Sequence, residues 1–93
     1  MEVTFDLPKN ERNIHQKRLS FDRAADFDFQ SAISSVDARR DYGEVRRVAL
    51  GYLDYRLHVL CFTDTAEGIR VISFRKAKAI EVRRYEAAQT ADR

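Results

Sequence analysis

The stretch IRVISFRKAKAIEVRRY, from Ile69 to Tyr85, changes character near its middle. Its first seven residues are rich in β-branched and aromatic side chains, which favour a strand, whereas the residues from Ala77 onward favour a helix. At the junction lie three cations within four residues: Arg75, Lys76 and Lys78. One interpretation is a solvated helix start. The other is a binding site for an anion, with a nucleic acid as the first candidate.

The composition limits the class of protein. The 93 residues are 44% hydrophobic and 34% charged, which predicts one folded domain over residues 1–93. Cys61, the single cysteine, lies in the apolar run HVLCF and cannot form an internal disulfide, as suits a reducing compartment. No signal peptide is visible, and no apolar run approaches the ~18 residues that span a bilayer. We therefore expect a cytoplasmic protein without a membrane partner.

The formal net charge of +2 is unevenly distributed along the chain. Between Lys9 and Arg23, five cations against two acids give +3, and between Arg70 and Arg84, six cations against one acid give +5. The stretch between them is acidic. A fold that brings the two basic blocks together would present a surface to an anionic partner.

The first half of the chain predicts a strand, two helices and a further short strand. EVTFD (2–6) alternates as a half-buried strand does. Asp6 as an N-cap and Pro8 in the first turn then predict a short polar helix. Ser20 as an N-cap and FDRAADF (21–27) predict a second. A brief strand is expected near Ala32–Val36.

The second half predicts an antiparallel three-strand meander closed by a helix. The strand segments are EVRRVALGYL (44–53), RLHVLCFT (56–63) and IRVISFR (69–75), joined by short turns. A helix follows from Ala77, and the final QTADR is expected to fray. The fold class is α+β, with one sheet face under the helices and the other open.

Arg46, Arg70 and Arg75 fall within the predicted strands, and simple alternation places Arg70 and Arg75 on opposite faces. An arginine in a sheet is costly to bury unless it is ion-paired or faces an anion. One interpretation is a surface or ion-paired arginine. The other is a guanidinium fork aimed at RNA phosphate, which suits arginine better than lysine. The candidate carboxylate partners are Glu44, Glu67 and Glu81.

Most other chemistries lack a motif in this chain. There is no P-loop, no glycine-rich dinucleotide turn and no nucleophile elbow, and His15 and His58 are far apart without a carboxylate at ligand spacing. We therefore predict no metal and no cofactor. RNA cleavage needs only clustered cations, because the attacking 2′-hydroxyl belongs to the substrate, and a Tyr, His, Glu or Lys to move protons. His58 is either a half-covered strand residue or such a proton-transfer group.

Three segments, in order, resemble the BrnT family of type II toxin–antitoxin toxins. FDLPKNERNIHQKRLSF (5–21) is similar to the pattern aromatic-Asp-x-x-Lys-x-x-x-Asn…Ser-Phe. YGEVRRVALGY (42–52) is similar to Gly-Glu-x-Arg…Gly, and IRVISFRKAKAIEVRRY (69–85) to Ile-Arg-x-Ile-Ser-x-Arg-x-Ala…Glu-x-x-x-Tyr. The chain departs from the family at several positions. Gln16, Lys17 and Arg18 stand where the family often has Lys-His-Gly, Arg47 replaces an aromatic residue, and Thr65 replaces an arginine.

The resemblance implies a RelE-like fold and a ribonuclease that arrests translation. It also implies a ribbon-helix-helix antitoxin, BrnA, through which the complex binds promoter DNA. On this hypothesis the catalytic residues are Lys9, Glu44, Arg46, His58, Arg75 and Tyr85. The RNA-binding residues are Lys17, Arg18, Arg70, Lys76 and Lys78. Two alternatives stay open: a non-catalytic RNA- or ribosome-binding module, and a domain that binds only a protein partner.

Overall fold

The computed structural model describes residues 1–91, which form a five-stranded mixed sheet with helices on both faces. The elements in chain order are β1 (Glu2–Phe5), α1 (Leu7–Lys17), a 3₁₀ helix (Phe21–Asp26), β2 (Ile33–Val36), β3 (Arg47–Leu53), β4 (Arg56–Asp64), β5 (Gly68–Lys76) and α2 (Ala79–Ala91). The strand order across the sheet is β1-β5-β4-β3-β2. β1 pairs parallel with β5, and all other neighbours pair antiparallel.

The α+β class and the antiparallel meander of β3, β4 and β5 are confirmed, but the sheet is larger than predicted. The prediction gave no partners to the strands at 2–6 and 32–36. In the structure these strands, β1 and β2, pair with the two edges of the meander, where backbone groups would otherwise lack partners. The second predicted helix is a 3₁₀ helix. α2 remains helical through Ala91, although fraying was expected from Gln89, and residues 92 and 93 lie outside the described part.

One face of the sheet packs against the 3₁₀ helix and the loop that follows it. The buried core there consists of Phe21, Ala24, Phe27, Ala49, Leu53, Leu60, Phe62, Ile69, Val71 and Phe74. Gly51 permits this packing, because a Cβ at that position would lie 2.8 Å from both Phe27 Cζ and Ala32 Cβ. Any side chain at position 51 would therefore push the loop away from the sheet.

α2 packs on the opposite face, which we expected to be open. Tyr85 is its buried anchor, with 5% of its surface exposed. The Tyr85 hydroxyl donates to the carbonyl of Ser31 at 2.9 Å, and its ring meets Tyr52 edge to face at 5.5 Å. The helix therefore covers part of this face and leaves a cleft beside it.

β5 contains a β-bulge opposite β4. Cys61 pairs with Ser73, and the next residue of β4, Phe62, pairs with Val71, so Ile72 has no partner. An extra residue in one strand shifts the alternation of its side chains relative to the neighbouring strand. The face taken by every residue on one side of the bulge is thereby reversed.

The bulge brings the two arginines of β5 onto the same face. Arg70 and Arg75 pair with Thr63 and Val59, which are separated by an even number of residues on β4 and so face the same way. The predicted placement of Arg70 and Arg75 on opposite faces was wrong, because simple alternation does not allow for the unpaired Ile72. Both arginines lie on the α2 face.

Two buried asparagines attach α1 to β5 and to the 3₁₀ helix. Asn13 Nδ2 donates to the carbonyls of Phe74 at 3.0 Å and Leu19 at 2.9 Å. Asn10 Oδ1 accepts a hydrogen bond from the backbone N–H of Phe21 at 2.8 Å. β1 pairs with only the first four residues of β5, so Asn13 provides the donor that a longer β1 would have supplied.

The predicted caps of α1 and the 3₁₀ helix are confirmed: Asp6 accepts from the backbone N–H of Lys9, and Ser20 accepts from that of Asp22. α1 ends at Arg18, which adopts a left-handed conformation with φ 56° and ψ 34° and donates its N–H to the carbonyl of Ile14. Glycine takes this position most readily, because other residues meet a steric penalty there.

Replacing Asn13 by alanine should destabilise the protein, because two carbonyls then lose their donor. We expect Asn13→Ala to lower the free energy of unfolding by about 2 kcal/mol, and the melting temperature by roughly 10 °C. Gln16→Ala, an exposed change on the same helix, should leave both nearly unchanged. Equal melting of the two variants would show that Asn13 does not hold α1 to the sheet.

Replacing Arg18 by glycine tests the left-handed end of α1. Arg18→Gly should keep the free energy of unfolding or raise it by up to about 1 kcal/mol, since the steric penalty disappears. Lys17→Gly, one residue earlier and helical, should lower it by about 0.5–1 kcal/mol. Urea denaturation of the two variants measures the contrast, and a similar loss in both would contradict it.

Candidate nucleic-acid interface

A cleft of about 550 Å³ lies on the α2 face of the sheet. Its floor is formed mainly by apolar side chains of β3, β4 and β5: Val48, Val59, Cys61 and Ile72. Its charged walls are Asp37, Arg39, Arg46, Arg75 and Glu81. We call it the arginine cleft. Its arginines come from separate segments, and the Ile72 bulge puts Arg75 on the same face of β5 as Arg70.

Arg75 and Glu81 form a bidentate pair at the end of the cleft nearest α2. Arg75 Nη1 and Nη2 donate to the two oxygens of Glu81 at 2.8 and 2.9 Å, and the backbone N–H of Lys78 donates to Glu81 Oε1 at 2.8 Å. The hydrogen bonds from Arg75, aided by that from Lys78, lower the pKa of Glu81 to about 2. A phosphate that binds this fork must compete with the carboxylate.

Arg46 and Arg70 share the carboxylate of Glu44. Arg70 Nη2 donates to both Glu44 oxygens at 2.7 and 2.8 Å, and this contact is the main cause that lowers the pKa of Glu44. Arg46 Nε lies 3.5 Å from Glu44 Oε1, near enough for attraction but without a hydrogen bond. The Arg46 guanidinium stacks over the Tyr42 ring at 4.0 Å. Its buried Nε–H has no partner among residues 1–91, so Arg46 would gain from an added acceptor.

A third ion pair closes the cleft beside β2. The side chain of Asp37 is 3% exposed and accepts from Arg39 Nε at 2.9 Å and Nη2 at 2.8 Å, and from the Tyr42 hydroxyl at 3.2 Å. These bonds, those of Arg39 first, hold the pKa of Asp37 well below its usual range. Sequence patterns missed these residues because they lie in the turn-rich DARRDYG segment, which has no periodicity.

A second concave region, of about 240 Å³, lies at the end of the sheet near the C-terminus of α1. We call it the basic pocket. Its charged lining residues are Lys17, Arg18, Arg23, Asp54, Arg56 and Lys76, and Leu19, Leu53 and His58 complete it. The cations come from α1, the 3₁₀ helix, β4 and β5. Arg56 was not among the predicted site residues, and its only sequence signal is its place directly after the two-residue turn of the β3–β4 hairpin.

The ion pairing of the basic pocket differs from that of the arginine cleft. Arg23 pairs with Asp54 at 2.8 Å. The other four lining cations make no ion pair with any residue in 1–91; they are Lys17, Arg18, Arg56 and Lys76. Five cations against one carboxylate give the pocket lining +4. In the cleft, by contrast, four arginines with Arg70 included face three carboxylates, which gives +1.

His58 forms part of the wall of the basic pocket and is 5% exposed. Its Nδ1 lies 2.8 Å from the carbonyl of Arg56, and a carbonyl only accepts, so Nδ1 carries the proton and Nε2 is left with a lone pair. Burial is the main cause that lowers the His58 pKa, and the charges of Arg56 and Lys76 act in the same direction. His58 is therefore neutral at pH 7.

The structure divides the predicted site residues between two places. Arg46 and Arg75 line the arginine cleft, and Glu44 and Arg70 lie beside it through the Glu44 ion pairs. Four others line the basic pocket: Lys17, Arg18, His58 and Lys76. Lys9 on α1 and Lys78 before α2 line neither. Tyr85 is the buried residue of α2, and its hydroxyl donates to the carbonyl of Ser31.

The described residues 1–91 contain no group of three or more His, Cys, Asp and Glu side chains placed to hold a metal ion. Within the same residues, neither α1 nor α2 has the length and apolar character that a membrane crossing requires. Cys61 is buried at the floor of the cleft, and burial is the main cause that raises its pKa.

A family model described as the ribonuclease toxin BrnT of type II toxin–antitoxin systems matches residues 5–81. The matched part includes strands β2 to β5 and every residue that lines the arginine cleft and the basic pocket. A search of curated proteins finds no match. Such a toxin acts on RNA and has an antitoxin as its partner. The family match covers most of the chain, and the chain therefore belongs to the BrnT family of type II toxin–antitoxin ribonuclease toxins.

Proposed function

We propose that this toxin is a metal-independent endoribonuclease whose active site is the arginine cleft. The observation that supports this is the bulge at Ile72, which brings Arg70 and Arg75 to the face that carries Arg46. Cleavage by the substrate's own 2′-hydroxyl needs positive charge around the phosphorane rather than a metal. The toxin would then arrest translation in the cytoplasm. A BrnA-like ribbon-helix-helix antitoxin would neutralise it and carry the complex to promoter DNA.

In the proposed reaction the 2′-oxygen attacks the adjacent phosphorus and the bond from phosphorus to the 5′-oxygen breaks. The products are a 2′,3′-cyclic phosphate and a 5′-hydroxyl, so one proton leaves the 2′-hydroxyl and one reaches the 5′-oxygen. Arg46 and Arg75 stabilise the charge that grows on the phosphorane. Glu44 is the proposed proton acceptor, since it is the predicted catalytic carboxylate beside Arg46.

The other predicted catalytic residues take less direct parts in this proposal. Tyr85 is a positioning residue, because its hydroxyl and ring fix α2 and with it the Glu81 partner of Arg75. Half-buried Lys9 and exposed Lys78 lie outside both concave regions, and we assign them to contacts with flanking phosphates. His58 lies in the basic pocket rather than with Arg46 and Arg75.

A non-catalytic RNA- or ribosome-binding module is the second candidate. The observation that favours it is the ion pairing of the cleft: both terminal nitrogens of Arg75 already donate to Glu81. An arginine whose terminal nitrogens already donate hydrogen bonds in the free protein adds less stabilisation to a transition state. Catalysis thus requires the substrate phosphate to displace or rearrange this pair.

A cleavage assay without metal separates the two candidates. Labelled single-stranded RNA incubated with the purified toxin in excess EDTA should be cut and should carry 2′,3′-cyclic phosphate ends, because the nucleophile is the substrate's own hydroxyl. Arg46→Ala with Arg75→Ala serves as the inactive control. A mobility shift without cutting would favour the binding module, and cutting that EDTA abolishes would contradict a metal-independent reaction.

Substitutions at Arg75 and Glu81 separate catalysis from structure. Arg75→Ala should lower the cleavage rate by about 10²-fold, and Arg75→Lys should fold normally but also cleave poorly, because lysine keeps the charge and loses the fork. Glu81→Gln weakens the same ion pair yet leaves Arg75 in place. We expect Glu81→Gln to lower the free energy of unfolding by about 1 kcal/mol, as Arg75→Ala does. It should keep or raise the cleavage rate.

The cleavage rates and melting temperatures of the three variants show whether Arg75 acts in the reaction or only in the fold. If Glu81→Gln loses as much activity as Arg75→Ala, the pair is structural and Arg75 has no direct part in the reaction. Full activity in Arg75→Lys would mean that charge alone is sufficient.

A further inference from the structure

We propose that the basic pocket is a second RNA subsite, which binds a sugar–phosphate unit and selects ribose over deoxyribose. In this subsite the phosphate pairs with Arg56, Lys76 and Lys17, and the 2′-hydroxyl donates a hydrogen bond to His58 Nε2. The inference rests on the proposed function, because it takes RNA as the substrate. It concerns a place on the molecule separate from the arginine cleft.

The unpaired cations argue for a phosphate. Lys17, Arg56 and Lys76 reach the pocket from three different elements, and none has a carboxylate partner among residues 1–91. Like charges gathered in a concavity repel one another, and an anion relieves the repulsion. Asp54, the pocket's carboxylate, already pairs with Arg23. The cleft arginines already pair with carboxylates, so a phosphate meets more unpaired positive charge in the basic pocket than in the cleft.

The tautomer of His58 argues for a hydroxyl beside that phosphate. Nδ1–H is committed to the carbonyl of Arg56, so Nε2 is an acceptor, and no hydrogen bond from another of residues 1–91 reaches it. A bare phosphate oxygen is also an acceptor and cannot satisfy it. Burial first, and then the charges of Arg56 and Lys76, disfavour protonation of the ring and so maintain the acceptor. The 2′-hydroxyl of a ribonucleotide is a donor next to a 3′-phosphate, and DNA lacks it.

The position of the pocket suits a strand that also reaches the cleft. Arg75 and Lys76 are consecutive in β5, so their side chains point to opposite faces, one to the cleft and the other to the pocket. Exposed Lys78 follows at the end of the strand. An RNA strand passing around this end would place one phosphate in the cleft and a neighbouring unit in the pocket. At about 240 Å³ the pocket has room for a sugar–phosphate unit and none for a duplex.

The test uses small ligands that the toxin cannot cleave. Adenosine 3′-phosphate, its 2′-deoxy analogue and inorganic phosphate are titrated into the unmodified protein, and the His58 ring is followed by NMR. We expect the ribonucleotide to bind roughly 5–10-fold more tightly than the deoxy analogue, as one hydrogen bond provides. The phosphate raises the His58 pKa in both complexes. The 2′-hydroxyl stabilises the neutral ring, so the pKa should be lower with the ribonucleotide than with the deoxy analogue.

Matched arginine variants locate the site. Arg56→Gln at the start of β4 should weaken both nucleotides several-fold, whereas Arg47→Gln at the opposite end of the same hairpin should change neither. His58→Phe should bring the affinity for the ribonucleotide down to that for the deoxy analogue. Equal affinities for the two nucleotides in the unmodified protein would overturn the hydroxyl contact. Equal effects of Arg56→Gln and Arg47→Gln would overturn the site itself.

These outcomes are independent of catalysis in the cleft. If the toxin cuts RNA in EDTA but shows no ribose preference in the pocket, the subsite proposal fails alone. If it shows the ribose preference but cuts no RNA, the proposed reaction fails and the subsite stands.

Discussion

The bulge at Ile72 in β5 determines which charged side chains can act together. Without it, Arg70 would face the hydrophobic core under the 3₁₀ helix, where an unpaired guanidinium is costly. With it, Arg70 and Arg75 stay on the α2 face while Val71 and Phe74 fill the core. Bulges are found beside functional sites because they re-aim side chains in this way. Here one unpaired residue lets a central strand serve both the core and a charged cleft.

The cations of the two concave regions differ in whether they are paired with carboxylates. In the arginine cleft each guanidinium lies near a carboxylate, which keeps half-buried charges tolerable in the free protein. A substrate there must exchange partners with Glu44 or Glu81. In the basic pocket most cations face solvent, and no such exchange is needed. On the two proposals made above, a free toxin would attract RNA through the pocket and keep its cleft ion-paired until the substrate arrives.

The end of α1 connects the fold to the basic pocket. Asn13 holds α1 against β5. The helix ends at Lys17, and the left-handed Arg18 caps it. Both cations line the pocket together with residues of β4 and β5. Arg18 occupies a left-handed backbone position that glycine takes most readily. This chain accepts the steric penalty, and the result is an additional cation in the pocket.

The sequence by itself determined the α+β class, the antiparallel meander, the caps at Asp6 and Ser20, and the concentration of charge in two blocks. These follow from local periodicity and capping chemistry, which depend on residues close together in the sequence. Only the tertiary structure decided the bulge at Ile72, the addition of β1 and β2 to the sheet, and the separation of His58 from Arg75. Each of these depends on pairing between distant segments, because a strand's register and the partner of a buried charge are fixed by what packs beside them.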